Sequence, residues 1–283
     1  MSKYGRLYVV ATPIGNLDDV SLRALQVLRS VALVAAEDTR HSRNLLRHFD
    51  IDTPLTSYHE HNEASKSHKL IDTLLDGNDV ALISDAGTPC ISDPGYRVVQ
   101  AAHESGIEVI TIPGPSSVIA ALAASGIPTD TFCFHGFFPR KQSDGKDRLQ
   151  RIQEWRGATH VLFEAPNRLL ATLHQLSTAC PGLRVAVCRE LSKIHEETIT
   201  GTIEEVMERF SLREVRGECV IMIHIPDADN GADRHSDAEL RARVEALILN
   251  EDMSRRDAIR RVSEDLGVPR NRVYGAAMGA EPA

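Results

Sequence analysis

A chain of 283 residues, 42% apolar and with a formal net charge of −8, holds enough hydrophobic material for one large core or two ordinary ones, which excludes a disordered protein. The acidic balance excludes a nucleic-acid binder coated by a basic stripe and leaves only local cationic patches for such a role. Cys90, Cys133, Cys180, Cys188 and Cys219 are scattered and never form Cys-x-x-Cys, so the spacing suggests neither a disulfide framework nor a zinc site; with no apolar run of signal-peptide or transmembrane length, a reduced, cytoplasmic, membrane-free protein is expected.

In chain order, Arg6 to Ala11 reads as a buried strand, ended by the turn residues Thr12-Pro13-Ile14-Gly15-Asn16 before a helix that Ser21 caps and that carries Leu22, Leu25 and Leu28 on one face. Val31 to Ala36 reads as a second strand. Glu37-Asp38-Thr39-Arg40-His41-Ser42 then forms a polar cluster before a helix from Arg43 to Phe49, readable as site material or as acids set against a helix dipole. His59-Glu60-His61 has no third ligand at a recognisable spacing, so no metal is expected there. A helix from Ala64 to Leu75 follows. Asp79 to Ile83 is a short apolar strand, after which Ser84-Asp85-Ala86-Gly87-Thr88-Pro89-Cys90-Ile91-Ser92-Asp93-Pro94-Gly95 is a strand-to-helix loop with two glycine turns. Ligands of α/β sheets bind at such strand ends. Glu108 to Ile112 is another strand, running through Pro113-Gly114-Pro115-Ser116-Ser117 into an apolar helix, Val118 to Ala124, whose start offers backbone N–H groups and two hydroxyls to a polar ligand.

Up to residue 128 the alternation predicts a mostly parallel sheet. Beyond it a second α/β lobe is predicted over 129–226. Its strands are Thr131 to Phe138, Thr159 to Phe163, Arg184 to Arg189 and Glu218 to Ile225, with helices over Asn167 to Thr178 and Ile203 to Phe210 and a basic segment from Pro139 to Arg151. A cleft between the lobes follows, lined at strand ends by Glu164-Ala165-Pro166-Asn167-Arg168 and Arg189-Glu190-Leu191-Ser192-Lys193. Pro226 to His235 reads as a linker. A helical module, 236–283, completes the chain: Ser236-x-x-Glu239 is a capping box, and Ser254 to Leu266, Gly267 and Pro269 to Met278 form a helix-turn-helix rich in arginine. Such a hairpin either contacts nucleic acid or is a packing unit.

The runs Val10-Ala11-Thr12-Pro13-Ile14-Gly15-Asn16-Leu17, Ala36-Glu37-Asp38-Thr39-Arg40-His41, Ser57-Tyr58-His59-Glu60-His61-Asn62, Ser84 to Gly95 and Pro113-Gly114-Pro115-Ser116 together resemble the bacterial small-subunit (16S) ribosomal RNA cytidine 2′-O-methyltransferases of the tetrapyrrole methylase superfamily. Gly136-Phe137-Phe138-Pro139-Arg140-Lys141 and Phe163-Glu164-Ala165-Pro166-Asn167-Arg168-Leu169 extend the resemblance over about residues 5–278. The chain departs from the pattern at His135, where an acid is expected, and at Asn167, where histidine is common. The resemblance implies a two-lobed class III methyltransferase fold with a small helical C-terminal domain. It also implies S-adenosylmethionine as cofactor, a homodimer, and as substrate a cytidine ribose in the decoding region of small-subunit ribosomal RNA; the assembled subunit is the expected partner, with free RNA the alternative. By position in the pattern, Ser84, Asp85, Thr88, Ser116 and Ser117 are expected to meet the cofactor from the first lobe, and Glu164 and Ala165 from the second.

Methyl transfer from a sulfonium needs mainly in-line placement of the acceptor, and a ribose hydroxyl needs a base or a nearby cation. Glu164 and Glu190 are the candidate bases, Lys141 or Arg189 the candidate cations, and an ion pair bracing the cleft is the alternative for each. A tetrapyrrole-like small-molecule methyltransferase and a non-catalytic RNA-binding assembly factor are the competing functions, since fold alone does not assign activity.

Overall fold

The computed structural model describes residues 3–227, 235–251 and 253–278. The chain divides into two compact units, Met1–Glu154 with Thr159–His224, and Trp155–Ala158 with Ile225–Ala283.

The first unit opens with strands β1 (Leu7–Val10), β2 (Leu33–Ala36), β3 (Leu55–Ser57), β4 (Val80–Ile83) and β5 (Val109–Ile112), hydrogen-bonded in the order β3-β2-β4-β1-β5. Their pairings β1/β4, β1/β5, β2/β3 and β2/β4 are all parallel, as the helical crossovers require. Those crossovers are α1 (Leu22–Ser30), α2 (Thr39–His48), α3 (Glu63–Leu75) and α4 (Tyr96–Glu104). β4 lies in the middle of the sheet with all four residues buried, which explains its uninterrupted apolar run. Leu25, Leu28, Val34 and Leu46 fill the core on one face of the sheet, and Leu70, Leu74, Val98 and Ala102 fill it on the other. The Ser21 hydroxyl caps α1 by accepting the Ala24 N–H at 3.0 Å. α2 begins four residues before the predicted start, because Asp38 caps it through the Arg40 N–H at 2.8 Å; part of the polar cluster therefore serves a helix N-terminus.

The second sheet runs β6-β7-β10-β8-β9, with β6 (Phe132–Phe137), β7 (Ala158–Glu164), β8 (Arg184–Arg189), β9 (Glu197–Thr202) and β10 (Cys219–Ile225). It is mixed: β6 and β7 are parallel, while β8 pairs antiparallel with both β9 and β10. α5 (Ser117–Ser125), α6 (Gln142–Glu154), α7 (Leu169–Ala179) and α8 (Ile203–Ser211) complete it. α6 occupies what the sequence shows only as a basic segment, burying Leu149 and Ile152 on its inner side.

In the second unit α9 (Asp237–Glu251), α10 (Arg255–Leu266) and α11 (Arg270–Met278) pack Leu240, Val244, Ile259, Val262 and Val273 into a core of their own. The Ser236 hydroxyl accepts the Glu239 N–H at 3.2 Å, and Gly267 ends α10 in the left-handed conformation at φ 63°. Of the predicted linker, residues 228–234 lie outside the described residues, as do 279–283 of the helical module.

Candidate functional site

The loops that leave the carboxyl ends of β4, β5, β7 and β8, with residues from β6, the β2 end and the start of β10, wall a cavity of about 360 Å³ in the first unit. Backbone and hydroxyl bonds tie these loops together. Thr12 and Gly87 exchange backbone hydrogen bonds of 2.9 and 3.1 Å, the buried Thr12 hydroxyl donates to the Ser84 carbonyl at 3.1 Å, and the Thr88 hydroxyl donates to the Pro115 carbonyl at 3.3 Å. Gly87 and Gly95 adopt φ of 82° and 145°, and a Cβ on Gly95 would stand 2.5 Å from Cys90 Sγ. Glycine is required there both by conformation and by space. Cys90 and Ser92 in the same loop, and Glu190 and Ser192 in the loop after β8, also have φ between 51° and 72°.

Of the residues singled out from the sequence, Asp85, Thr88, Ser116, Ser117, Glu164 and Glu190 line the cavity. Ser84, Ala165 and Lys141 do not appear on its wall. Ser84 lies just beneath it, 2% exposed. Its hydroxyl is close enough to ease the ionisation of Asp93, yet closes no hydrogen bond of ordinary geometry among the described residues. Ala165 donates its backbone N–H to Glu164 Oε1 at 2.8 Å. Lys141 is exposed at the start of the α6 segment, and Arg189 is committed to Glu197 at 2.7 Å.

The lining is strongly acidic. Glu37, Asp85, Asp93, Glu164, Glu190 and Glu218 face a cavity whose one lining cation among the described residues is Lys193. Asp85 Oδ1 accepts the Asp38 N–H at 3.0 Å, which fixes the carboxylate against the end of β2. Burial, and then the charge of Asp85, raise the pKa of Glu37 above the ordinary glutamate range. Burial first, then Glu37, push Asp93 up to about 6. Lys193 Nζ sits 2.8 Å from Glu190 Oε1. Glu164 is 1% exposed and fully engaged: besides the Ala165 N–H, its Oε2 accepts the Thr172 hydroxyl at 2.5 Å, and Arg168 stands 3.4 Å away. Removing one partner of such a buried group is costly, so this arrangement is that of a brace at the end of β7. The apolar part of the wall comes from Ile14, Ile91, Phe137, Phe163 and Leu191, with Phe137 and Phe163 packed edge to face at 5.5 Å.

Glu37, from the polar cluster after the second strand, and Lys193, from the predicted cleft lining, are on the wall, as are Asp93 and Glu218, to which sequence reasoning gave no role. Asp93 had a signal, its place in the Asp-Pro-Gly turn of the loop; Glu218 had none, because its role depends on which strands become neighbours. Chemically, a partly apolar cavity with excess negative charge and the hydroxyl-bearing residues Thr88, Ser116 and Ser117 on its wall suits a ligand that carries positive charge, an apolar body and several hydrogen-bonding groups.

Known proteins resemble this chain at two levels. Solved structures share the fold at low identity. A uroporphyrin-III C-methyltransferase from Thermus thermophilus, complexed with S-adenosyl homocysteine, aligns with a TM-score of 0.55 and 19% identity over 78% of this chain and 97% of that one. A diphthine synthase aligns with a TM-score of 0.58 and 14% identity over 77% and 89%. Sequence relatives are much nearer. The proteins named ribosomal RNA small subunit methyltransferase I from Pseudomonas aeruginosa and Synechocystis are 46% and 43% identical, over 97% and 98% of this chain and 97% and 99% of theirs. That of Bacillus subtilis is 39% identical over 97% of this chain and 94% of its own. The family model for tetrapyrrole (corrin/porphyrin) methylases matches residues 6–207, the stretch that contains every loop of the acidic cavity except the one entering β10; the chain thus belongs to the tetrapyrrole methylase family, among its ribosomal RNA small subunit methyltransferase I members.

Proposed function

We propose that this protein uses S-adenosylmethionine to methylate the 2′-oxygen of a cytidine ribose in small-subunit ribosomal RNA. The observation that carries the reading is the acid-rich cavity: S-adenosylmethionine presents a sulfonium and an ammonium, and carboxylates in a half-buried site favour such charges over neutral or anionic ligands. Its residues fit the cofactor in kind. Asp85 supplies a fixed carboxylate, Thr88, Ser116 and Ser117 supply small polar groups beside glycine turns, and Phe137 and Phe163 supply apolar surface. When bound, the cofactor supplies an electrophilic methyl group; the chain's own part is to position the ribose oxygen and take its proton. Because Glu164 is engaged as a brace, we assign proton acceptance to a free lining carboxylate. We take Asp93 for the task, since burial and the charge of Glu37 push its pKa up to about 6; Glu190, paired with Lys193, is the second candidate.

The RNA reaches this acidic site through separate cationic surfaces. Arg140, Lys141, Lys146 and Arg151 are exposed, and none has an acidic partner among the described residues. We further propose that the substrate is the assembled subunit, that the protein acts as a homodimer in the cytoplasm, and that three functional parts, 1–128, 129–226 and 236–283, divide cofactor binding, site completion and RNA delivery. In support of the boundary at 128, the strands of the two sheets fall entirely on either side of it. No helix among the described residues is long and apolar enough to cross a membrane. The test is methyl-labelled cofactor offered with naked ribosomal RNA, isolated small subunits and a tetrapyrrole. Label on a cytidine ribose of the subunit supports the reading, and label on the tetrapyrrole alone overturns it.

A further inference from the structure

On β6, Cys133 and His135 stand two residues apart and therefore on one face of the strand. On the parallel neighbour β7, His160 is the Cα partner of Cys133. No Cys-x-x-Cys spacing announces this group, because it is assembled across two strands. The Sγ of Cys133 and one nitrogen of each imidazole all lie within 4.8 Å of one another. His135 Nε2 and His160 Nδ1 are 2.8 Å apart, with the rings nearly parallel at 18°. His160 is fully buried, while Cys133 and His135 are half-buried, which leaves an entry side.

We propose that Cys133, His135 and His160 form a binding site for a zinc ion, separate from the methyl-transfer cavity. One thiolate and two imidazoles are a borderline-soft donor set suited to Zn²⁺, with a fourth, tetrahedral position left to water from the half-exposed side. Tetrahedral ligation at ordinary bond lengths sets the two nitrogens about 3.3 Å apart and the sulfur about 3.6 Å from each. The cluster reaches that by moving the ring nitrogens apart by a few tenths of an ångström and drawing the sulfur in. Metal entry replaces the imidazole hydrogen bond: the proton in it moves to the other nitrogen of the same ring, both imidazoles bind as neutral ligands, and the thiol proton leaves, so atoms and charge balance as one proton released per ion. Arg148, which donates to the His135 carbonyl, and Arg151 lie near the cluster; burial raises the pKa of the Cys133 thiol and the charge of Arg148 partly offsets it. The ion has a structural use. The register of β6 against β7 shifts between Phe134 and Phe137, and a metal clamp at Cys133, His135 and His160 pins the two strands just before Phe137 joins the cavity wall.

The test uses the full-length protein, stripped with a chelator and titrated with Co²⁺ as a spectroscopic stand-in for Zn²⁺. The expected result is one equivalent bound, with a thiolate-to-cobalt charge-transfer band and tetrahedral d–d bands that Zn²⁺ abolishes. Cys133→Ser is expected to lose the charge-transfer band, and His135→Gln to bind at least about 100-fold more weakly, a loss beyond that of an outer-shell change. His61→Gln is expected to bind as wild type. Each variant is checked for an unchanged circular dichroism spectrum and melting curve without metal. Absence of a thiolate band in the wild type, or its persistence in Cys133→Ser, overturns the proposal.

Discussion

Asp93 keeps its proton up to about pH 6 because it is buried and shares its cavity with Glu37, Asp85 and Glu218. In the unfolded chain an aspartate titrates near 3.9, so between about pH 4 and 6 the folded state binds more protons than the unfolded one. The contribution of Asp93 to stability therefore falls as pH rises through that window. Urea melts at pH 4 and pH 6.5 are expected to show Asp93→Asn gaining on the wild type at the higher pH, and a constant difference would exclude the raised pKa. Affinity for S-adenosylmethionine is expected to run the other way. It strengthens as pH rises through about 6, since ionised Asp93 adds negative charge to a cationic ligand's site, and calorimetry on Asp93→Asn is expected to lose most of that dependence. Asp85→Ala is expected to weaken cofactor binding by about 1–3 kcal/mol, the range for a lost charge-assisted hydrogen bond. A wild-type affinity in that variant would remove Asp85 from the site.

At the scale of elements, Thr202 and Glu205 form a complete capping box at the start of α8, and Thr202→Ala is expected to cost about 1 kcal/mol in denaturant titrations. Loops before helices with clear periodicity were legible in the sequence: β4 with its glycine loop, the Ser21 cap and the Gly267 stop all stand at their expected positions. Elements that lack a local signal were not. β3 has three residues, none of them buried, and β9, Glu197–Thr202, is an edge strand of threonines with a single buried residue, so neither shows the alternation of a half-buried strand. α6 was hidden because only its inner side is apolar and its outer positions are charged. The site was half legible for the same reason. Asp85 and Thr88 belong to one contiguous motif, whereas Glu218 and Lys193 meet that motif only through the sheet order. Neutralising Arg140 and Lys141 together, at the approach to α6, is expected to lower methylation of the small subunit with cofactor affinity unchanged. Full activity across a salt titration would make that segment an ordinary solvated surface.

For the whole molecule, a chain truncated after Asp227 is expected to keep S-adenosylmethionine binding and to lose most RNA methylation, because every cavity residue precedes that point and the helical unit has its own core. Failure of the truncated protein to bind cofactor would make the helices structural. In that unit Arg260, Arg261 and Arg272 already pair with Asp257, Asp265 and Asp237, so part of its positive charge is offset locally, and RNA affinity is expected to fall with salt by the shallow slope of a few contacts. The left-handed residues of the two cavity loops bear on the fate of the entire chain. Cys90, Ser92, Glu190 and Ser192 repeat one alternation, a non-glycine residue at positive φ followed by another two positions on. Each such residue costs on the order of 1 kcal/mol, which together is a sizeable part of a typical folding stability of about 5–15 kcal/mol. Evolution toward heat tolerance in a laboratory screen would therefore find its first gains in these two loops, through asparagine or glycine, and the survivors would trade turnover for endurance.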